Sequence, residues 1–387
     1  MRPDDAHDAR VKISGWLLAL AMCVLGVAGF AVVSSLSGGS TGVTLESVLS
    51  SLPALLVYML LPRVVDRYAP EPVWVLALSA FMGAIASGGM AVALNELCAN
   101  LLVSAGGWSD AEAVLIVTRW MAPFTEELTK AAPLVWLYFF ARHEFDGVAD
   151  AVLSAVFVGL GFAFAENLAL SAWSAHHGGG EPGLARVLLM PWAHPLFAAC
   201  TGIGFGLARE RAGRARWLAP LLGYVCASLC HLLWNALHTN VSVGTGLSLS
   251  MWGLFVGALS AVTYALVQRK GRIVSAYLKD EVLYGTITQD EFDLVSARFG
   301  RVTARLRFGA PGVRFVDAAA KLALCKWHTT RARHARQGTL SAHLIVPLRD
   351  EIGVQRTAIG ERLGKTMPLP SRWVPTPKSG ETPTRYG

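Results

Sequence analysis

Apolar residues fill the first two thirds of the chain in long runs, separated by short polar or glycine-rich stretches. Runs of this length match the ~17–20 residues that cross a hydrocarbon core. Eight spans are predicted, at roughly 13–35, 45–61, 73–95, 112–140, 149–174, 186–208, 217–238 and 249–268. The fourth carries Pro123 and Pro133, which predicts a tilt or a break within it. The first, ISGWLLALAMCVLGVAGFAVVSS, is long enough to span, and no cleavable-signal pattern is expected in it. The predicted fold class is all-α: a polytopic transmembrane bundle of about eight spans, followed by a small helical and disordered tail.

The positive charges between the spans give an independent check. Arg2, Arg10 and Lys12 precede span 1, and Arg63 and Arg67 follow span 2. Arg142 follows span 4, four arginines from Arg209 to Arg216 follow span 6, and Arg269, Lys270 and Arg272 follow span 8. The alternate loops, 36–44, 96–111, 175–185 and 239–248, contain no Lys or Arg. Positive charge stays on the cytoplasmic side, so both termini are predicted to be cytoplasmic in a multi-pass protein of the cell membrane.

Composition agrees. Of 387 residues, 53% are hydrophobic and 16% charged, against about 25% charged in soluble domains. Mean hydropathy is +0.44. The charge is uneven: residues 269–387 hold 21 of the 34 Lys and Arg but 10 of the 27 Asp and Glu. Three regions follow: a cytoplasmic N-terminus (1–12), an eight-span membrane domain (13–268) and a basic cytoplasmic tail (269–387). In the tail, IVSAYLKDEVLYGTITQDEFDLVSARFGR predicts two short amphipathic helices around a Gly turn, with Thr288 capping the second ahead of Glu291. Another helix is expected near 315–336, and the Pro-rich end is expected to be disordered. A basic tail of this kind is expected to meet anionic lipid. No nucleic-acid motif accompanies it.

Ionisable residues inside spans are costly and mark functional candidates. Span 4 has Arg119, Glu126, Glu127 and Lys130; span 5 has Glu166 next to Asn167; span 6 has His194; span 7 has His231 and Asn235. At ~1.5 Å per residue, Glu127, Glu166, His194 and His231 all lie about 20–26 Å from the cytoplasmic ends of their helices. Four helices thus carry acids or imidazoles at one depth, as a shared polar chamber requires. Glu126 and Lys130, four apart, are expected to pair and leave Glu127 as the freer carboxylate. Arg119 is expected to snorkel outward. Cys226 and Cys230 share a helix face, and with no other Cys or His at matching spacing they are expected to be packing residues.

Hydrolysis of a peptide bond fits this set, because it needs a base for water, a proton donor for the leaving amine and a donor to the oxyanion. Glu127 is the expected base, His194 or His231 the proton donor, and Asn235 the oxyanion donor. In a metal-assisted version, Glu166, His194 and His231 would hold zinc. The rival reading is a proton- or ion-coupled transporter, since buried acids and histidines also make proton relays. No inverted repeat of the spans supports it.

These residues carry a resemblance. EELTK (126–130) matches an E-E-x-x-K element, and DGVADAVLSAVFVGLGFAFAEN (146–167) matches a D-G…G-x-G-F-A-x-x-E-N element. The His of span 6, the H-x-x-W-N of span 7 and the DRYAPEP lead-in to span 3 complete the set. Together, over roughly residues 45–268, they resemble the PrsW family of intramembrane proteases, which are related to the CAAX prenyl endopeptidases. The resemblance implies a membrane endopeptidase, often described as a metalloprotease, with Glu126, Glu127, Glu166, His194 and His231 as functional positions. It also implies a single-pass membrane protein as substrate, such as an anti-sigma factor, cut near the outer face.

Overall fold

A computed structural model of the chain describes residues 3–36, 45–65, 68, 70–142, 144–176, 193–211, 213–238, 245–334 and 342–363. The Pro-rich end, the start of predicted span 6 and most of three predicted outer loops lie outside the described residues. All regular structure among the described residues is helical. In chain order the helices are α1 (Pro3–Leu36), α2 (Leu45–Val65), α3 (Val73–Met82), α4 (Gly88–Gly106), α5 (Asp110–Ile116), α6 (Ala122–Phe140), α7 (Val148–His176), α8 (Ala193–Glu210), α9 (Leu218–His238), α10 (Thr245–Leu283), α11 (Gln289–Ser296), α12 (Gly300–His334) and α13 (Ile345–Leu363).

Two compact units make up the chain: Met1–Asp66 with Glu71–Leu266, and Arg67–Pro70 with Val267–Gly387. In the first unit, α3 and α4 join through one π turn (Gly83–Ser87), and α5 and α6 through another (Val117–Met121). The second π turn falls immediately before Ala122–Pro123. Proline has no N–H to complete the ladder, and the wider turn absorbs the mismatch. The predicted fourth span is therefore two helices around an irregular turn. Its start is set by Ser109, whose side chain accepts from the Glu112 N–H in a reciprocal capping box.

Among the described residues, five helical segments are long and apolar enough to cross a membrane: Ser14–Ala31, Val73–Gly106, Val148–Leu170, Leu218–Leu237 and Ser250–Leu283. The other three predicted spans correspond to α2, α6 and α8. In α7, 83% of the apolar window is buried inside the protein, against 28% in α9. Helix α7 is therefore the central rod, and α9 turns much of its surface outward. Two glycines let neighbours reach the α7 backbone: a Cβ on Gly161 would stand 1.9 Å from the Ala80 carbonyl oxygen, and one on Gly159 would stand 2.7 Å from that of His194. Small residues at such crossings allow close helix approach where lipid removes the hydrophobic drive to associate.

Helices α8 and α9 pack with α10 around Phe197, Trp234 and Phe255. Here the structure corrects the reading of the cysteines. Cys200 of α8 joins Cys226 and Cys230 of α9, so the pair has a third thiol that sequence spacing concealed.

The second unit is built around Val274, Leu278, Ile287, Phe315, Leu322 and Ile352. The predicted first tail helix is not separate, since α10 continues to Leu283. Gly285, at φ 67°, makes the turn, and Thr288 caps α11 in a capping box with Glu291. The helix expected near 315–336 starts earlier, at Gly300, and is kinked at Gly309 ahead of Pro311. Glu281 is fully buried beneath Lys326 (2.9 Å) and Arg349 (2.8 Å).

Candidate active site

Four helices carry the site. Helix α6 presents Glu126, Glu127 and Lys130 from one turn; α7 presents Glu166; α8 presents His194 from its first turn; α9 presents His231 and Asn235. Glu127, Lys130 and His231 are at most 2% exposed, and His194 and Glu126 at most 9%. Glu166 is more open, its side chain 39% exposed.

The pairing within α6 differs from the expected one. Lys130 Nζ lies 2.5 Å from Glu127 Oε1, three residues back, rather than bonding Glu126. The same oxygen is 2.8 Å from His231 Nδ1. Glu127 is thus the engaged carboxylate and Glu126 the freer one, the reverse of the sequence expectation. The physical cause is on the neighbouring helices. Asn95 of α4 donates to Glu126 Oε1 at 3.3 Å, and Thr125 donates to the Asn95 side-chain oxygen. Glu126 is drawn toward α4, while Lys130 turns toward α8 and reaches His194 Nδ1 at 3.0 Å.

These contacts constrain the imidazoles. Glu127 can only accept, so His231 Nδ1 donates to it, and a neutral His231 presents a bare Nε2. That nitrogen faces Glu126 Oε2 at 3.8 Å. Glu126 Oε2 is buried and makes no hydrogen bond. The Lys130 ammonium donates to His194 Nδ1, which directs the His194 Nε2–H to Glu166 Oε2 at 2.8 Å. The two imidazoles stand edge to face with ring centres 5.3 Å apart. Phe197 stacks on His231 at 4.7 Å, and Phe162 packs on His194 at 5.1 Å.

Two further placements bear on the predicted set. The Asn235 side-chain amide donates to the Thr118 carbonyl in the π turn before α6 at 2.8 Å. Arg119 does not simply extend outward: its guanidinium donates to the Ala236 carbonyl at 3.2 Å. Sequence reasoning missed Asn95 and Phe197. Asn95 was visible only as a polar residue at the end of a predicted span, and Phe197 only as one more apolar residue.

A carboxylate oxygen without a partner, beside a bare imidazole nitrogen, is a donor set suited to a cation. Glu126, His194 and His231 each offer a ligand atom, and these atoms lie within 4.8 Å of one another. His194 would join such a set by exchanging its bond to Lys130 or to Glu166. Glu166, expected as the third ligand, is not in this group but lies 2.8 Å from His194 Nε2.

The sequence model of the family described as "PrsW family intramembrane metalloprotease" matches residues 71–267, just over half of the chain and the segment that supplies every side chain of the site. The chain belongs to this family. It is also similar to the curated Protease PrsW of Geobacillus kaustophilus (strain HTA426), with 27% identity over 150 residues. That match covers 39% of this chain and 61% of the relative's length. No solved structure matches the chain. Glu126, Glu127, Lys130, Glu166, His194 and His231 all fall within the matched segment.

Proposed function

We propose that this protein is an intramembrane endopeptidase of the cell membrane that hydrolyses a peptide bond of a single-pass membrane protein near the outer face, with both termini cytoplasmic. An anti-sigma factor is the substrate class that the family resemblance favours. The observation that carries the reading is the buried meeting of Glu126 Oε2 and His231 Nε2, two acceptors with no hydrogen-bond donor between them. Water is the molecule that supplies donors to both.

In this mechanism water sits between Glu126 and His231 and gives its proton to Glu126 as its oxygen attacks the scissile carbonyl. Glu127 holds His231 in the tautomer that leaves Nε2 bare, and Lys130 holds Glu127 in place. Glu127 is therefore a positioning residue. Glu126 then gives the water's proton to the leaving amine, and the His194–Glu166 pair, open on the Glu166 side, orients the departing group. Asn235, whose amide donates to the Thr118 carbonyl, is the candidate donor to the oxyanion. Glu126, His194 and His231 would hold zinc if the protein carries it, and the ion would polarise the carbonyl and the water.

The test is a comparison of membrane proteomes from cells with the parental protein and with Glu126→Gln at matched expression. The reading expects at least one membrane protein to be shortened only in the parental cells. Identical membrane proteomes, with the substrate-bearing growth conditions covered, would remove it.

A further inference from the structure

Three thiols meet where α8 crosses α9. The sulfurs of Cys200, Cys226 and Cys230 all lie within 4.8 Å of one another, and none is in a disulfide. The helix crossing enforces their meeting. A Cβ on Gly223 would stand 2.6 Å from the Cys200 carbonyl oxygen, and one on Gly204 would stand 2.4 Å from the Ala219 carbonyl oxygen. Only bare glycine backbone permits this approach, and Cys226 and Cys230 follow Gly223 by one and two turns on α9. The cluster shares no side chain with the acid–imidazole site.

We propose that Cys200, Cys226 and Cys230 form a binding site for a soft monovalent cation, copper(I), held by three sulfurs. Thiolates select soft ions over hard ones. An ion in a planar three-sulfur site with metal–sulfur bonds of about 2.3 Å needs sulfurs about 4 Å apart, within the 4.8 Å that bounds the present spacing. A disulfide needs about 2.05 Å and would leave the third thiol over. Zinc in a protein takes four ligands, and no fourth Cys, His, Asp or Glu joins this group among the described residues. Nor is water at hand: Cys226 is exposed on the face of α9 that also shows Leu222, Val225, Leu229 and Leu233, a surface suited to lipid. Copper(I) is satisfied by three sulfurs and needs neither. The ion displaces thiol protons as it binds. It would tie α8 to α9, the helices that carry His194 and His231.

The test uses the full chain in lipid nanodiscs, reduced and without oxygen, with copper(I) supplied from a competing chromophoric chelator. The expected result is about one copper per chain and a near-ultraviolet sulfur-to-copper absorption band. Both should be lost in Cys200→Ser, Cys226→Ser and Cys230→Ser, and both kept in His194→Ala, which separates this site from the family's own. Cys226→Ser is the decisive variant, because its side chain is exposed and its loss leaves the helix crossing intact. Full copper uptake by Cys226→Ser overturns the proposal, as does failure of the parental protein to draw copper from the chelator. Zinc bound in the same assay at one per chain, dependent on the same thiols, overturns the choice of ion.

Discussion

His231 Nδ1 stands 2.8 Å from Glu127 Oε1, an oxygen that also receives the Lys130 ammonium. One carboxylate oxygen therefore takes two donors, while Oε2 of Glu127 and Oε2 of Glu126 are both buried without a hydrogen bond, the latter 3.8 Å from His231 Nε2. Two adjacent glutamates in one helix turn thus have different surroundings: Glu127 bonds an imidazole and an ammonium, and Glu126 bonds Asn95. On the proposed reading, one orients the imidazole and the other meets the reactant.

This division predicts different phenotypes for two similar substitutions. Glu126→Gln should lower cleavage by at least about 100-fold and leave thermal unfolding in detergent unchanged. Glu127→Gln should lower cleavage and also destabilise the protein by about 3 kcal/mol, because Lys130 then stays buried without its partner. Adding Lys130→Met to Glu127→Gln should recover part of that stability and none of the activity. Equal stability of the two single variants would show that the carboxylates are not divided in this way.

Gly159 lies directly under the backbone of His194. Gly159→Ala should push α8 away from α7 and move His194 relative to Glu166 and Lys130. Cleavage should fall by at least about 10-fold, since small misplacements of catalytic groups cost rate steeply. Gly253→Ala is the control, because a Cβ there meets nothing within 4 Å. Activity of Gly159→Ala equal to that of the control would mean that the α7–α8 approach does not set the site.

The donor set of Glu126, His194 and His231 predicts close to one zinc per purified chain, falling below about 0.2 in Glu126→Ala, His194→Ala or His231→Ala. Elemental analysis reads this without reference to activity. An active parental protein with less than about 0.2 zinc per chain would leave hydrolysis to the side chains alone.

In the second unit, Glu281→Gln should weaken the helical core by about 2 kcal/mol, because hydrogen bonds to Lys326 and Arg349 lose their charge assistance. Limited trypsin digestion of the full-length protein should then cut between residues 284 and 363 at lower protease doses than in the parental chain. An unchanged digestion pattern would mean that this ion cluster adds nothing to the stability of the unit.

The helices, the membrane class and the polar residues that the fold brings together as the candidate site were legible in the sequence, because hydropathy and helical period are local properties. The motif turn Glu126–Lys130, the two histidines and Glu166 stood out because a charge or an imidazole in an apolar run is costly. Which carboxylate pairs with Lys130 was not legible, since spacings of three and four both suit a helix. Asn95 and His231, 31 and 104 residues from Glu126 and Glu127, decide that choice by the hydrogen bonds they make. The π turn before Pro123, the stacking of Phe197 on His231 and the arrival of Cys200 beside Cys226 and Cys230 are likewise products of helix crossings. A crossing is fixed by where glycine lets two backbones touch, and only the folded chain brings those partners together.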